Sequence, residues 1–427
     1  MPSYDGGCRF ALSLLDGFIS VLCIFVFAFN THVCQSIKRL LVGMSFVTVR
    51  RCLLCPAFVL RNINWDQRLK NDQVNIFDAR CQLTTKLVRF MTESGEIAGM
   101  EHYELAPNLK ICKVINGMWQ VAGAHGRINP KAAVVDMVRY HDAGFVTWDL
   151  ADIYGPAEDF VGDFIHSLPE QARQEVQALT KWVPDPQRIT RQIAQASIDR
   201  SLKRMGLSSL DLVQFHWWDY SNPYYIDALK YLSDLRDEGK IKNVGLTNFD
   251  TERMQIMKDA NLKIVSNQVQ YSIVDRRPEK KMAKFCRENS VSLLAYGTIC
   301  GGLMSKRYLG RPEPYSELDT ASLKKYKRMI DAWGGWQLFQ KLLSTLNEIS
   351  LKHGMSIANV ATRFILDKPA VASAIIGARL GIANHRDDNA RVFDLRLDHD
   401  DNRRIEELCE KSNDLFEILG DCGDEYR

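Results

Sequence analysis

The stretch TWDLADIYGPAED, residues 147–159, sets a tyrosine five residues after an aspartate, just beyond an apolar run. A tyrosine hydroxyl, with a pKa of about 10, is a sluggish acid at neutral pH. A nearby ammonium favours the phenolate and lowers that value, and a carboxylate beside the ammonium keeps it charged when buried. An Asp–Lys–Tyr chain is therefore a usable general acid, and a histidine beside it can orient a substrate oxygen. The sequence supplies each part: Asp149 and Tyr154 here, Lys181 in LTKW and His216 in DLVQFHW. Such a set would protonate a carbonyl oxygen while hydride arrives at its carbon.

Groups so far apart in sequence need a fold that gathers strand ends. Apolar runs predict strands at Phe145–Trp148, Val176–Thr180, Leu210–Phe215, Ile241–Leu246, Ile264–Val269, Val291–Ala295 and Val371–Ile376, with an eighth near Val114. Helical patterns lie between them. Asn129-Pro130 opens one helix and Gly144 ends it, while Asn222-Pro223 opens another that closes at Gly239. The first strand-to-strand steps are roughly 23 to 34 residues, the size of a βαβ unit. Eight such strands predict an α/β chain folded as a closed (β/α)8 TIM barrel rather than a doubly wound sheet. A long insertion, SKRYLGRPEPYSELDTASLKKYKRM, separates the last two strands. Neither a GxGxxG nor a GxxxxGK[ST] motif occurs.

In such a barrel the active-site groups sit at the C-terminal strand ends. Those positions read Asp149, Lys181, His216, Thr247-Asn248, Gln268, Tyr296 and Arg379. Loops are polar in general, but a complementary Asp, Lys and His among seven polar ends exceeds that expectation.

Composition narrows the class further. The 427 residues are 46% apolar and 25% charged, ordinary globular material, and the net charge of +3 gives no nucleic-acid footprint. Six of eleven cysteines lie between Cys8 and Cys81, and five are scattered from Cys112 to Cys422. The scattered five read as buried or free thiols in a reducing compartment, and the lone Cys52-x-x-Cys55 has no second ligand pair for a metal. Residues 1–95 read as a non-barrel extension and 96–427 as the barrel. Gly17 to Ile37 holds no charged residue, and residues 17–65 carry five Lys or Arg and no acid. That pattern predicts an organelle signal of the two-part, plastid-like kind, or an anchor touching the membrane only through residues 10–29. Initiation at Met91 or Met100 would instead leave a cytoplasmic chain.

From about Asn108 onward the chain resembles the aldo-keto reductase superfamily. DLADIYGPAED is similar to its Asp-x-Ala-x-x-Tyr segment, LTKW to its lysine strand and SLKRMGLSSLDLVQFHW to its histidine strand. KIKNVGLTNFD, SNQVQYS and LLAYGTICGG resemble the cofactor segments that follow. The resemblance implies a catalytic tetrad of Asp149, Tyr154, Lys181 and His216, with Tyr154 the acid. It implies that Thr247, Asn248 and Gln268 hold a nicotinamide carboxamide, that Tyr296 stacks on the ring, and that Gly301-Gly302 approaches the pyrophosphate. Arg379 would meet a 2′-phosphate and Asn389 the adenine, favouring NADPH over NADH. Trp119, Ile153 and Trp217 would line the substrate mouth, suiting an aldehyde or ketone. Leu150 stands where the family has a small residue, Thr247 where serine is commoner, and His385 where many members carry an arginine. The same superfamily includes ion-channel accessory subunits, and this branch resembles a ciliary radial-spoke component. A structural or cofactor-sensing subunit is therefore the rival expectation, with no metal site in either reading.

Overall fold

The computed structural model describes residues 99–426 apart from 124, 127, 316 and 317. The 1–95 extension, its boundary and the targeting or anchoring segment therefore fall outside the described residues. Among those described, no helix is long and apolar enough to cross a membrane.

A hairpin opens the described chain, β1 (His102–Ala106) pairing antiparallel with β2 (Leu109–Cys112). Then follow β3 (Val114–Gly117), α1 (Pro130–Asp142), β4 (Thr147–Asp149), α2 (Ala157–Ser167), α3 (Glu170–Arg173), β5 (Gln177–Trp182) and α4 (Arg191–Met205). Next come β6 (Leu212–His216), α5 (Tyr225–Asp237), β7 (Val244–Thr247), α6 (Thr251–Asp259), β8 (Ser266–Gln270), α7 (Met282–Glu288) and β9 (Ser292–Tyr296). The insertion forms α8 (Ala321–Trp333), and α9 (Gly335–His353), α10 (Ile357–Leu366) and β10 (Val371–Gly377) complete the barrel. After it lie α11 (Arg386–Ala390), α12 (His399–Cys409) and α13 (Leu415–Leu419).

Strands β3 to β10 close in sequential order into an eight-stranded parallel barrel, β10 pairing with both β9 and β3. This is the expected (β/α)8 fold. Most of the strands begin one to three residues later than the apolar runs and end later too, because ladder pairing carries the polar ends Asp149, Lys181, His216, Thr247 and Tyr296 inside the sheet. The hairpin was not foreseen. Its Leu105, Leu109 and Ile111 pack with Ile115, Leu179, Leu212 and Leu294, the inward side chains of the lower strands. Tyr103 reaches the start of β9, its hydroxyl 3.2 Å from Ser292 Oγ, so the hairpin closes the N-terminal end of the barrel.

Local signals place the helices as read. Asn129 accepts from the Ala132 amide with Pro130 at the first turn of α1, and Thr190 caps α4 through Ile193. Gly144 and Gly239 follow α1 and α5 with φ of 86° and 84°, a region that costs glycine little. The five cysteines from Cys112 onward are all buried free thiols.

Candidate active site

Side chains alternate along a strand, so a residue two before an inward one also points inward. Asp149, His216, Thr247 and Tyr296 end their strands, and Lys181 and Gln268 stand one and two residues before the ends of theirs, all on the barrel's inner face above the apolar lower layer. Gln214, two before His216, joins them, and the sequence reading had missed it.

Four of these side chains form one buried network. Lys181 Nζ donates to Asp149 Oδ2 at 2.7 Å and to the Leu150 carbonyl at 3.1 Å. Asp149 Oδ1 accepts from Gln214 at 2.9 Å and from Gln268 at 2.6 Å, and Gln268 also donates to Gln214 Oε1 at 2.7 Å. Asp149 is 3% exposed and Lys181 2%, so both charges are held out of water and neutralise each other. The Lys181 ammonium lies 5.0 Å from the Tyr154 ring centroid. Burial pulls the lysine pKa down, but Asp149 and Tyr154 push back harder and the net direction is upward. Burial raises the Tyr154 hydroxyl, and the opposing pull of Lys181 does not cancel it. The expected lowering of that hydroxyl is thus reversed: Tyr154 stays protonated at neutral pH.

The loop bearing Tyr154 is tied down on both sides. The Asp152 amide donates to the Lys181 carbonyl, and the Asp152 carboxylate accepts from the Val183 amide at 3.2 Å. Burial and the neighbouring Glu158 push the Asp152 carboxyl up to about 6. Glu158 lies in the first turn of α2 and is wholly buried, accepting from Thr180 Oγ1 and pairing with Arg204.

The tryptophans correct one expectation. Trp217 is 0% exposed, its indole N–H donating to the Asp219 carbonyl at 2.6 Å, so it cannot line the substrate mouth. The pleat is the reason: with His216 inward, Trp217 turns outward to pack beside Phe215. Trp218, 37% exposed, instead lies on the His216 ring with centroids 4.2 Å apart. Ile153 is 54% exposed beside Tyr154, and half-buried Trp119 meets the His125 ring edge-on at 5.0 Å.

The other rim was only partly legible. Tyr296 donates to Asn248 Oδ1 at 2.8 Å and lies 3.0 Å from the Tyr426 hydroxyl. Lys325, from the insertion helix α8, donates to the Tyr426 hydroxyl. A hydroxyl carries one proton, so the bonds run in one sense, Lys325 to Tyr426 to Tyr296 to Asn248. Lys325 Nζ also sits 4.7 Å from the rings of both Tyr296 and Tyr426, and the Tyr426 ring meets Trp218 edge-on at 5.9 Å. The C-terminal segment that carries Tyr426 is held by Arg277, which pairs with Asp275 and with Glu425, each at 2.8 Å. Gly301 has φ of 64°, and a Cβ there would come within 2.8 Å of Tyr326 in α8. That glycine lets the insertion helix seat on the rim.

Thr247 Oγ1 is buried with no hydrogen-bond partner among the described residues, an acceptor and donor left for a bound group. Beyond β10, Arg379 is exposed and Asn389 half-buried in the segment that runs into α11, with no carboxylate within 4.0 Å of Arg379 among the described residues.

A closed eight-stranded parallel barrel with a buried lysine–carboxylate pair beside a tyrosine at its C-terminal mouth defines a TIM-barrel protein. The aldo/keto reductase family model matches residues 113–410, and the chain belongs to that family of oxidoreductases. It is 26% identical over 294 residues to the aldo-keto reductase YhdN of Bacillus subtilis, spanning 66% of this chain and 85% of that protein. It is 31% identical over 177 residues to flagellar radial spoke protein 5 of Chlamydomonas reinhardtii, covering 37% of this chain and 33% of that one. The fold matches an aldo/keto reductase from Klebsiella pneumoniae solved with NADP and acetate, with a TM-score of 0.56, 21% identity, and coverage of 72% and 95%.

Proposed function

We propose that the chain is an NADPH-dependent carbonyl reductase in which Tyr154 is the general acid. The observation that carries this is the position of Lys181, bonded to Asp149 and set against the Tyr154 ring. When bound, the reduced nicotinamide supplies hydride to the carbonyl carbon. Tyr154 gives its hydroxyl proton to the oxygen as negative charge builds there, and the Lys181 ammonium stabilises the phenolate left behind. Asp149, itself held by Gln214 and Gln268, keeps Lys181 charged. His216, on the same rim, orients the carbonyl oxygen.

Thr247, Asn248, Gln268 and Tyr296 would hold the nicotinamide end, Gly301-Gly302 the pyrophosphate, and Arg379 with Asn389 the adenosine end. The unpartnered Thr247 hydroxyl supports the first assignment. Gln268 already spends both amide protons on Asp149 and Gln214, so its carbonyl oxygen is what remains for a ligand. The exposed Arg379 guanidinium suits a phosphate and hence NADPH over NADH. Trp119, Ile153 and Trp218 would border an aldehyde or ketone.

The Tyr154→Phe protein should lose turnover by about 10²–10⁴-fold while binding NADPH nearly as wild type. Undiminished turnover would remove Tyr154 from the acid's role. The likeness to a radial spoke protein favours a second reading, a cofactor-binding subunit without turnover. Tight NADPH binding with no reduction across a broad carbonyl panel would select it. For the N-terminal segment we infer targeting or anchoring from its acid-poor, partly apolar composition, and sequencing the N-terminus of the protein from its own cells tests this.

A further inference from the structure

Three cations and three carboxylates stand around the mouth, but the direct ion pairs leave one cation out. Lys181 is matched by Asp149, and Arg277 by Asp275 and Glu425. Lys325 has no carboxylate within 4.0 Å among the described residues; it donates to the neutral phenol of Tyr426. It stands among three aromatic rings, Tyr296, Tyr326 and Tyr426, at 4.7, 5.3 and 4.7 Å from their centroids. Ring faces stabilise a cation less well than a counter-ion does once water is excluded. Burial accordingly pulls the amine down to about 8, with Glu425 and Asp275 opposing only in part and Arg277 adding to the fall.

The location turns this ammonium without a direct ion pair into a site. Tyr426, which the ammonium holds, meets the His216 ring at 6.4 Å and the Tyr296 hydroxyl at 3.0 Å. Lys325 is thus one side chain removed from the rim where the carbonyl oxygen is proposed to sit. It is delivered there by α8, whose Tyr326 packs on Gly297 and Gly301 and whose Ser322 bonds to His125 at 2.7 Å. The backbone around it is fixed on two sides.

We propose that Lys325 is an anion-binding residue of the mouth, taking a carboxylate or phosphate group carried by the ligand in place of the Tyr426 hydroxyl. This rests on the reductase reading for its substrate arm: a carbonyl compound bearing an acid group would be preferred over its neutral analogue. The same anion chemistry has a second source, the phosphates of the cofactor, and the two are separable.

Steady-state reduction of 4-carboxybenzaldehyde and 4-nitrobenzaldehyde by the full chain gives the preference as a ratio of kcat/KM. Lys325→Gln should lower that ratio by about tenfold, chiefly through KM for the carboxylate, and Lys325→Arg should restore it. If the anion is the cofactor's, Lys325→Gln instead weakens NADPH binding about tenfold, read by fluorescence titration, with the ratio unmoved and Lys325→Arg again restoring. An unchanged ratio together with unchanged NADPH affinity overturns the proposal, as does a loss that Lys325→Arg does not rescue in a folded protein. Absence of turnover on both aldehydes by the wild-type chain would instead strike the reductase reading, while the NADPH titration still tests Lys325.

Discussion

The two rims of the barrel mouth hold a lysine each, and they treat it in opposite ways. Lys181 is strand-borne, 2% exposed, and bonded to a carboxylate that two glutamines hold in turn. Lys325 is helix-borne, half-buried, and faces tyrosines. Burial lowers the pKa of both, but Asp149 reverses the direction for Lys181 and nothing does so for Lys325. The strand-built rim is a finished electrostatic unit whose parts fit without a ligand. The rim built by the insertion and the C-terminal segment carries an ammonium without a direct ion pair among the described residues, a contact that a ligand would supply. Fixed chemistry on the sheet and adjustable recognition on added elements is a division that barrels permit, because loops change without disturbing the strands.

The contrast breaks most visibly in stability. Lys181→Met leaves Asp149 charged and buried among amides, and should cost about 3–5 kcal/mol in urea unfolding. A cost under about 1 kcal/mol would mean that Asp149 is not held as an ion, and the finished-unit view would fall. The tryptophan pair gives the next effect. Trp217→Ala empties a core position and should cost about 3–5 kcal/mol, whereas Trp218→Ala should cost about 1 kcal/mol or less. Substrate KM should respond in the opposite order, moving with Trp218→Ala. A KM effect confined to Trp217→Ala would restore Trp217 to the mouth.

The difference between the rims also explains what the sequence could disclose. Asp149, Lys181, His216 and Tyr296 stand where an apolar run meets a polar residue, and the strand period turns that pattern into a place in space. Applied further, the same period would have found Gln214, two before His216, and would have turned Trp217 away from the mouth. The hairpin was missed because Tyr103, Leu105, Leu109 and Ile111 form short alternations around Pro107-Asn108, a turn signal weaker than the barrel repeats. Lys325 and Tyr426 left no such trace. No local period records that a helix of the insertion and the last residues of the chain meet over Tyr296; only tertiary packing brings them there. The direction of the Tyr154 shift was misjudged for a related reason, since burial is a property of the assembled mouth.

The smallest effect is also the one that differs in sign. The folded-state pKa of Lys181 lies above its usual 10.5, so the stability it contributes is fully present below pH 10.5 and is lost as pH rises through the folded value. Lys325 is held at about 8, so between about pH 8 and 10.5 the folded chain binds fewer protons than the unfolded one. Its contribution is therefore unfavourable at neutral pH and is relieved as the amine discharges across that window. Lys325→Met should make the protein more stable at pH 7, by about 1 kcal/mol once its partial exposure is allowed for, with the gain shrinking to nothing above pH 10.5. Urea unfolding of both proteins at pH 7, 9 and 10.5 reads this directly. A loss of stability at pH 7 would show that the tyrosine rings hold the ammonium as well as a carboxylate would, and the two rims would then be electrostatically alike.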